Sequence, residues 1–549
     1  MKVEGLKVFS NKNRQEQLDK MSATFDLIVI GGGVTGAGII LDASLRGMKV
    51  LLLEKGDFAS GTSSKSTKLI HGGLRYLKQL EFGLVRETGL ERSVAHANAC
   101  HLVHPEKMLL PIVKNGSFSK LSASLAVSVY DFLAKVPHGQ RRKTLSKKES
   151  NDLEPLLRDD LIKSGVLYSE YRTDDARLTI ELIKSARRNS AEAFNYMEVK
   201  KFTYDEDHVS GVVCWDHIQE KEIIFHSKQI VSSGGPWVDE VSKRDELSSD
   251  PNLHLSKGSH IVLAKKDLNL KHSTYFDAFD GRMIFAIPRG EMVYVGTTDT
   301  TYKGSLEDIN CNEEDARYLI DAVKGMFEVK DLSINDIKST WAGVRPLIKQ
   351  KGKGPTEISR KDEIFEAESG LITIAGGKLT GFRVMAEKVV DLMIKKSGQK
   401  FEGQDTKEYK IHHAPFANYK EYLDFIQALE EKYNAEKHYD LPFLVSSYGK
   451  DSEAIIRHAM DHGGNINASI LEYTSTYECV YHPLDHLERR TGWLYFDIDR
   501  ARINQSKVAE QLGSYFNKDA AWVNQMSTET ADQIRINSLQ AIKSGKSAE

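Results

Sequence analysis

The feature that most constrains this chain is a glycine-rich turn between two apolar runs. Residues 25–30 (FDLIVI) are compact and apolar, GGGVTG follows at 31–36, and a second apolar run, KVLLL, spans 49–53. Apolar runs of this length bounded by glycine predict buried strands, and the stretch from Val34 to Gly47 between them predicts a helix. Such a strand–helix–strand unit predicts a doubly wound α/β fold with a parallel sheet.

The turn carries the G-x-G-x-x-G spacing of a dinucleotide site. Gly31 allows the tight turn, Gly33 lets the backbone approach a pyrophosphate, and Gly36 lets the helix pack close to the strand. The start of the helix offers N–H groups to phosphate. Glu54 ends the second strand, where its carboxylate can accept hydrogen bonds from both ribose hydroxyls and would repel a 2′-phosphate. The pattern predicts a dinucleotide but does not separate NAD from FAD.

Length and composition narrow the class of protein. A chain of 549 residues exceeds one hydrophobic core, so two or three domains are expected. A net charge of −3 argues against a nucleic-acid binder. Four scattered cysteines without a CxxC pair predict neither a metal site nor a disulfide framework, and favour a cytoplasmic compartment. Residues 1–24 lack the apolar middle of a signal peptide and predict a short surface arm.

The middle of the chain predicts a second type of sheet. Residues 258–263, 281–288 and 291–297 alternate apolar and polar side chains, and 222–235 gives further strand signals. Alternation of this kind predicts an antiparallel sheet with one exposed face. No run of 18 apolar residues is present, so a membrane-spanning helix is not expected.

The last quarter of the chain changes character. Helical spacing of Glu, Lys, Ala and Leu predicts helices at 418–436, 450–463 and 500–516. A polar stretch near 400–412 suits a linker. We therefore expect 413–549 to be a separate helical domain.

Two further segments suit a flavin. Small residues in 56–77 would let the backbone pass close to a pyrophosphate and an isoalloxazine ring. In 370–382 a buried strand, a Gly-Gly turn and a helix start would place a positive helix end near the ring. A flexible loop and an ordinary strand–helix crossover remain the alternatives at this point.

The chain resembles the FAD-dependent glycerol-3-phosphate dehydrogenases. The resemblance rests on motifs that keep one order across about residues 25–395: DLIVIGGGVTGAGI (26–39), TSSKSTKLIHGGLRYL (62–77), DDARL (174–178), GGPWV (234–238), KGSHIV (257–262), IPRGEMVYVGTTDT (287–300), AGVRPL (342–347) and GGKLTGF (376–382). LERRTG (487–492) resembles part of the family's accessory domain.

The resemblance implies an FAD-binding region at 25–400 with an interleaved antiparallel substrate sheet, followed by a helical accessory domain at 413–549. It implies oxidation of sn-glycerol 3-phosphate to dihydroxyacetone phosphate by hydride transfer from C2 to flavin N5, in which the protein orients and charges the site. The cofactor-binding residues it implies are Gly31, Gly33, Gly36, Glu54, Thr62, Ser63, Ser64, His71, Gly72, Trp237, Gly377, Lys378, Leu379 and Thr380.

The substrate residues implied by the resemblance are Arg75, Tyr76, Arg345, Arg360 and Lys378. Arginine forks and ammonium groups suit a phosphomonoester dianion. Arg345 stands in an apolar setting where an unpaired guanidinium would be costly, and Lys378 at a helix start opposes the dipole. A bound anion would compensate both, whereas a solvated surface charge is the alternative for each basic residue taken alone.

His260 is the candidate general base for the C2 hydroxyl, because its ordinary pKa lies near neutrality. Arg345 is the second catalytic candidate, since it could stabilise a forming alkoxide. A core or sheet-face histidine is the alternative for His260. His71 is a second histidine candidate, which we expect to shape the flavin loop.

The resemblance implies that electrons pass to a quinone and that the protein sits on the inner face of the cell membrane without crossing it. Related oxidases use dioxygen and form hydrogen peroxide. They carry an added segment that is not evident between 300 and 400 here, which favours the dehydrogenase. An amine or amino-acid oxidase of the same fold and a non-catalytic flavoprotein are further alternatives. The oligomeric state stays open, with a homodimer as one expectation.

Overall fold

The computed structural model describes residues 1–72, 82–114, 116–118, 128, 141–247, 253–348, 362–401, 403–433 and 439–538. Its strands in chain order are β1 (Thr24–Phe25), β2 (Leu27–Ile30), β3 (Val50–Leu53), β4 (Leu69–Ile70), β5 (Val103–Val113), β6 (Lys143–Ser146), β7 (Ile162–Thr173), β8 (Glu192–Phe194), β9 (Met197–Asp205), β10 (His208–Asp216), β11 (Lys221–Ser227), β12 (Ile230–Ser232), β13 (Leu253–Ala264), β14 (Ser273–Asp277), β15 (Met283–Arg289), β16 (Met292–Gly296), β17 (Thr300–Thr301), β18 (Ile337–Ile348), β19 (Asp362–Glu366) and β20 (Ile372–Gly376).

The α-helices of the same residues are α1 (Arg14–Asp19), α2 (Val34–Leu45), α3 (Phe82–Asn98), α4 (Lys147–Leu153), α5 (Asp175–Arg188), α6 (Val238–Ser242), α7 (Glu313–Met326), α8 (Phe382–Ser397), α9 (Tyr419–Tyr433), α10 (Leu441–Tyr448), α11 (Ser452–Asp461), α12 (Ile466–Tyr477), α13 (Trp493–Phe496), α14 (Ile498–Phe516) and α15 (Ala520–Ile536). A short π-helix spans Asp485–Arg490.

The predicted strand–helix–strand unit is confirmed as β2, α2 and β3. These strands lie in a sheet of order β19-β20-β12-β2-β3-β8, in which the strands from β20 to β8 run parallel and β19 is antiparallel. Alternate side chains of a strand point to opposite faces. Leu27 and Val29 therefore pack with α2 and α8, whereas Ile28 and Ile30 pack with the small sheet β1-β11-β10-β9.

The third sheet follows the order β17-β13-β16-β15-β14-β5-β7-β4, with β18 paired to β13 and β6 to β7. The expectation that one of its faces is exposed is wrong. Ile261 and Leu263 pack with α7 on one side. Val262 packs on the other side with Tyr448 and Trp493 of the C-terminal helices. Period-two alternation marks the two faces of a strand but cannot show that a distant segment covers the second face.

The first 24 residues do not form a surface arm. Phe9 and Arg14 are buried. The Phe9 N–H donates to the carbonyl oxygen of Thr476 at 2.9 Å, and Arg14 Nε donates to Asp216 Oδ2 at 2.7 Å. The correction has a physical reason: a polar composition does not reveal that polar groups have partners elsewhere in the fold.

The C-terminal helices lie close to the predicted segments, as α9, α11 and α14. They share one hydrophobic core with the large sheet, in which Tyr294 and Trp341 of the sheet meet Trp493 and Tyr495. Buried ion pairs add to this contact: Arg177 of α5 donates to both carboxylate oxygens of Glu478, at 2.5 and 2.8 Å. The region expected to be a separate domain is thus packed continuously onto the rest of the molecule.

Candidate cofactor and substrate site

A cavity of about 760 Å³ lies between the parallel sheet and the large sheet, which is antiparallel apart from the pairing of β5 with β14. One wall consists of the segments that follow β2, β3, β12 and β20, at the carboxyl ends of the parallel strands, where open α/β sheets bind ligands. The opposite wall includes residues of β13, β15 and β18. The volume of the cavity falls within the range of roughly 300–1,000 Å³ that is typical of small-molecule and cofactor sites.

The glycine turn is a tight cradle at one end of this cavity. Gly31 has φ +108°, and a Cβ there would lie 2.7 Å from the carbonyl oxygen of Ser233. A Cβ on Gly36 would lie 2.0 Å from the carbonyl oxygen of Gly31. Gly33 stands at the N-cap of α2, so the positive end of this helix faces the cavity. The geometry therefore fits a pyrophosphate.

Glu54 lies beside this cradle, as the spacing predicts. Its Oε2 accepts the Gly32 N–H at 2.6 Å and its Oε1 accepts the Gly56 N–H at 2.8 Å. Burial raises the pKa of Glu54, although the two backbone N–H groups act in the opposite direction. Each carboxylate oxygen has a further lone pair, so the side chain fits a ribose diol. The cradle and the acid together fit an adenine dinucleotide.

The small-residue segment after Glu54 folds across the cradle. Ser63 Oγ accepts the Val34 N–H at 2.9 Å, and Thr62 Oγ1 donates to the carbonyl oxygen of Val344 at 2.7 Å. Gly61 lies so close to Trp237 that a Cβ would be 3.0 Å from its ring. The segment thus ties the nucleotide cradle to β18 and forms part of the cavity wall.

His71 is hydrogen-bonded to the second segment that suits a flavin, residues 370–382. Its N–H donates to Thr380 Oγ1 at 3.0 Å, and the same hydroxyl donates to the His71 carbonyl oxygen at 3.0 Å. Lys378 is the N-cap of the short turn Leu379–Gly381, which leads into α8. His71, Lys378 and Leu379 all line the cavity.

His260 lies on β13, where strand register places it opposite Gly296 of β16 and Trp341 of β18. Its imidazole is buried, and its Nε2 lies 3.0 Å from Thr67 Oγ1. Burial lowers the pKa of His260 well below its usual range, and the nearby Arg345 and Lys68 lower it further. The ring is therefore neutral at physiological pH.

Arg345 reaches the cavity from β18. Its Nη2 donates to Thr297 Oγ1 at 3.0 Å, and its Nη1 lies 3.6 Å from Asp299 Oδ1. A Cβ on Gly258 would lie 2.4 Å from Nη2, so a larger residue there would displace the guanidinium from its present position. The apolar neighbours of Arg345 in sequence do not show these polar partners, which are contributed by a segment distant in sequence.

The cavity brings together most of the residues expected at the site. Those that line it are Gly31, Gly33, Glu54, Thr62, Ser63, His71, Trp237, His260, Arg345, Gly377, Lys378 and Leu379. Gly36, Ser64, Gly72 and Thr380 are not part of its lining. Arg75, Tyr76 and Arg360 lie outside the described residues.

Several lining residues were not singled out from the sequence. Thr67, which contacts His260, lies within the motif at 62–77, but the motif does not assign it a role. Asp299 lies within the motif at 287–300, which does not assign it a role either. Glu488 and Arg489 come from the C-terminal region and also line the cavity; the only local signal is the charged LERRTG stretch.

Comparison with known proteins agrees with this geometry. A family model described as FAD dependent oxidoreductase matches residues 26–386. An aerobic glycerol-3-phosphate dehydrogenase of Staphylococcus epidermidis is 46% identical over 510 residues, which are 90% of this chain and 91% of the relative. The crystal structure of the Bacillus halodurans glycerol-3-phosphate dehydrogenase complexed with FAD superposes with a TM-score of 0.81 at 35% identity, over 96% of this chain and 98% of that one.

A more distant structure shares the fold alone. The L-alpha-glycerophosphate oxidase of Mycoplasma pneumoniae is 18% identical, with a TM-score of 0.57 over 72% of this chain and 100% of that chain. The fold therefore does not distinguish a dehydrogenase from an oxidase. The family match and the identity across nine-tenths of the chain do establish kinship: the chain belongs to the FAD-dependent oxidoreductases and, within them, to the aerobic glycerol-3-phosphate dehydrogenase family.

Proposed function

We propose that this protein oxidises sn-glycerol 3-phosphate to dihydroxyacetone phosphate with FAD held in the cavity, and that it delivers the electrons to a quinone. The observation that carries the proposal is the pairing of β13 and β18. It places a neutral, buried His260 and the guanidinium of Arg345 in the same cavity as the nucleotide cradle. The names of the relatives supply the substrate.

FAD, when bound, supplies the two-electron acceptor for the hydride of the C2–H bond. The protein's own part is to bind the alcohol and to take its hydroxyl proton. We assign this proton to the imidazole of His260, which is neutral and therefore able to accept it. Thr67 Oγ1, at 3.0 Å from Nε2, orients the ring.

We assign the phosphate of the substrate to the basic side chains that reach the cavity. Arg345 and Lys378 line it among the described residues. Arg75, Tyr76 and Arg360 complete the assignment on the strength of the motifs. Arg345 also suits the stabilisation of alkoxide character at O2, because a guanidinium stays charged and makes directed hydrogen bonds.

Anaerobic reduction tests the substrate. Glycerol 3-phosphate should bleach the flavin absorbance of the purified holoprotein, whereas glycine, sarcosine and L-proline should not. His260→Gln should keep its flavin and bleach much more slowly. Bleaching by an amino acid and none by glycerol 3-phosphate would transfer the assignment to the amino-acid oxidases of this fold.

The acceptor is tested by reoxidation. We expect the reduced protein to be reoxidised faster by a soluble quinone than by dioxygen, because relatives that match about nine-tenths of the chain are named as dehydrogenases. Fast oxygen consumption with stoichiometric hydrogen peroxide would instead identify an oxidase.

Access to a membrane quinone would place the protein on the inner face of the cell membrane. In the part of the chain that the structure describes, no helix is both long and apolar enough to span a bilayer. We propose a peripheral mode of binding and expect the protein to sediment with vesicles of the cell's own lipids. Light scattering of the purified protein tests whether it is a homodimer.

A further inference from the structure

The π-helix Asp485–Arg490 is a buried element of the C-terminal region. All of its six residues are buried, and the Thr491 N–H donates to the His486 carbonyl oxygen at 3.0 Å, five residues back. Such π-turns are rare in proteins, and those that occur are often found at functional sites. This one directs Glu488 and Arg489 into the wall of the cofactor cavity.

Two arginines of the π-helix form ion pairs with the segment that follows Glu54. Arg489 Nε donates to Asp57 Oδ2 at 2.7 Å, and Arg490 donates to both Asp57 oxygens, at 2.5 and 2.8 Å. Burial by itself would raise the pKa of Asp57, but Arg490 and Arg489 together lower it to about 2. Asp57 is three residues from Glu54, so these ion pairs lie next to the nucleotide cradle.

Glu488 makes a second contact with the same segment. Its Oε1 accepts the Tyr495 hydroxyl at 2.7 Å and lies 3.5 Å from Ser64 Oγ. Its Oε2 accepts Arg489 Nη1. The two ends of the segment 57–64 are therefore held by neighbouring side chains of one short helix, while Gly56, Asp57 and Ser60–Ser63 face the cavity.

We propose that Glu488, Arg489 and Arg490 are positioning residues for bound FAD. They hold segment 57–64 against the glycine turn in the conformation that receives the pyrophosphate and ribose. The C-terminal helical region is then a structural part of the cofactor site. The proposal rests on FAD binding and is independent of which substrate the enzyme oxidises.

The test measures FAD affinity, not turnover. Apoprotein of Arg489→Ala, Glu488→Gln and wild type is titrated with FAD, with the quenching of flavin fluorescence as the signal. Arg500→Ala is the matched control: Arg500 lies in the same helical region, stacks on Trp493 at 4.0 Å and donates to Asn467. Among the described residues, Arg500 makes no hydrogen bond or ion pair with segment 57–64. Thermal unfolding of each apoprotein is measured in parallel.

Loss of a charge-assisted hydrogen bond predicts a rise in the Kd for FAD of about tenfold or more in Arg489→Ala. Arg489→Lys, which keeps the charge, should bind FAD more tightly than Arg489→Ala but more weakly than wild type. Arg500→Ala should change the Kd by less than about twofold even where it lowers apoprotein stability as much. An unchanged Kd in a folded Arg489→Ala, or an equal rise in Arg500→Ala, would overturn the proposal.

If Arg489→Ala does not fold, Glu488→Gln tests the positioning role instead. It keeps the side-chain volume and the acceptor for Tyr495 but removes the charge that pairs with Arg489. We expect a Kd increase of about threefold to tenfold, since a charged hydrogen bond becomes a neutral one. Faster tryptic cleavage after Lys65 in this apoprotein should accompany it. An unchanged Kd together with unchanged cleavage would refute the positioning role.

Discussion

The imidazole of His260 stacks on the indole of Trp341, with ring centroids 4.7 Å apart and ring planes 11° from parallel. The pair arises from β13 and β18, whose register sets the two residues opposite each other. Stacking on an apolar surface removes water from the imidazole, and desolvation disfavours its charged form. The position of His260 in the cavity wall thus also keeps its imidazole neutral.

This relationship predicts the pH dependence of catalysis. Because burial, Arg345 and Lys68 lower the pKa of His260, the rate of flavin reduction at saturating substrate should not fall with acidification around the ordinary histidine pKa of 6.5, but only well below it. His260→Gln should lower kcat by about 10²- to 10⁴-fold, the usual contribution of a general base. Stopped-flow reduction of the flavin across pH measures both. An acid limb centred near the ordinary value would show that the base is exposed or is a different group.

Arg345→Lys should weaken substrate use without loss of flavin. Lysine keeps the charge but loses the fork that reaches Thr297 Oγ1 and to which we assign the substrate anion. We expect kcat/KM to fall by about 10- to 100-fold, which corresponds to one charge-assisted hydrogen bond. Arg317→Lys is the matched control, since Arg317 is exposed on α7 and pairs with Glu313. Equal kinetics of the two variants would remove Arg345 from the substrate site.

Gly36→Ala should prevent FAD binding. The added Cβ would lie 2.0 Å from the Gly31 carbonyl oxygen, so the turn and α2 must separate. Gly325→Ala is the control, because a Cβ there meets nothing within 4 Å in α7. Alanine at this helical position should be neutral or stabilising by up to about 1 kcal/mol. The flavin-to-protein absorbance ratio of the two variants checks the prediction, and a flavin-replete Gly36→Ala would contradict the turn geometry.

Asp57 should contribute to stability in a defined pH range. Its pKa is lowered from 3.8 to about 2 in the folded protein, so the unfolded chain takes up the proton first as pH falls. Its contribution to the free energy of unfolding is therefore about 2 kcal/mol above about pH 4. This contribution is lost as pH falls from about 4 to about 2.

Urea unfolding of wild type and Asp57→Asn at several pH values measures this contribution. The difference in the free energy of unfolding should shrink as pH falls through that range. Asp499→Asn, an exposed site on α14, should show no comparable trend. A difference that stays constant with pH would mean that Asp57 stabilises the fold through packing and not through charge.

Local patterns predicted the nucleotide half of the site well. Gly31, Gly33, Gly36 and Glu54 lie within 24 residues of one another, and each is constrained by its immediate neighbours. A strand, a tight turn and a helix start form from short-range sterics and hydrogen bonds, so their spacing is visible in the chain.

The substrate half was less accessible to this reasoning. The motifs indicated His260 and Arg345, but not that Thr67 would contact the imidazole or that Thr297 and Asp299 would flank the guanidinium. These partners come from separate strands, and strand order is not encoded in any single segment. For the same reason the alternation in β13 suggested an exposed face that the C-terminal helices in fact cover.

The amino-acid sequence by itself determined the parallel strand–helix–strand unit and the glycine cradle with its acid, because each depends on residues close together in the chain. It also determined the membership in a flavoprotein family, because each motif is local and the motifs keep one order along the chain. Only the tertiary structure decided that Phe9 and Arg14 of the N-terminal segment are buried, that Trp341 stacks on His260, and that Arg489 and Arg490 reach across to Asp57. The ion pairs of Asp57 join residues up to 433 positions apart. They form only once packing has brought the sheets and the C-terminal helices together, since it is burial in a common core that makes such pairings favourable.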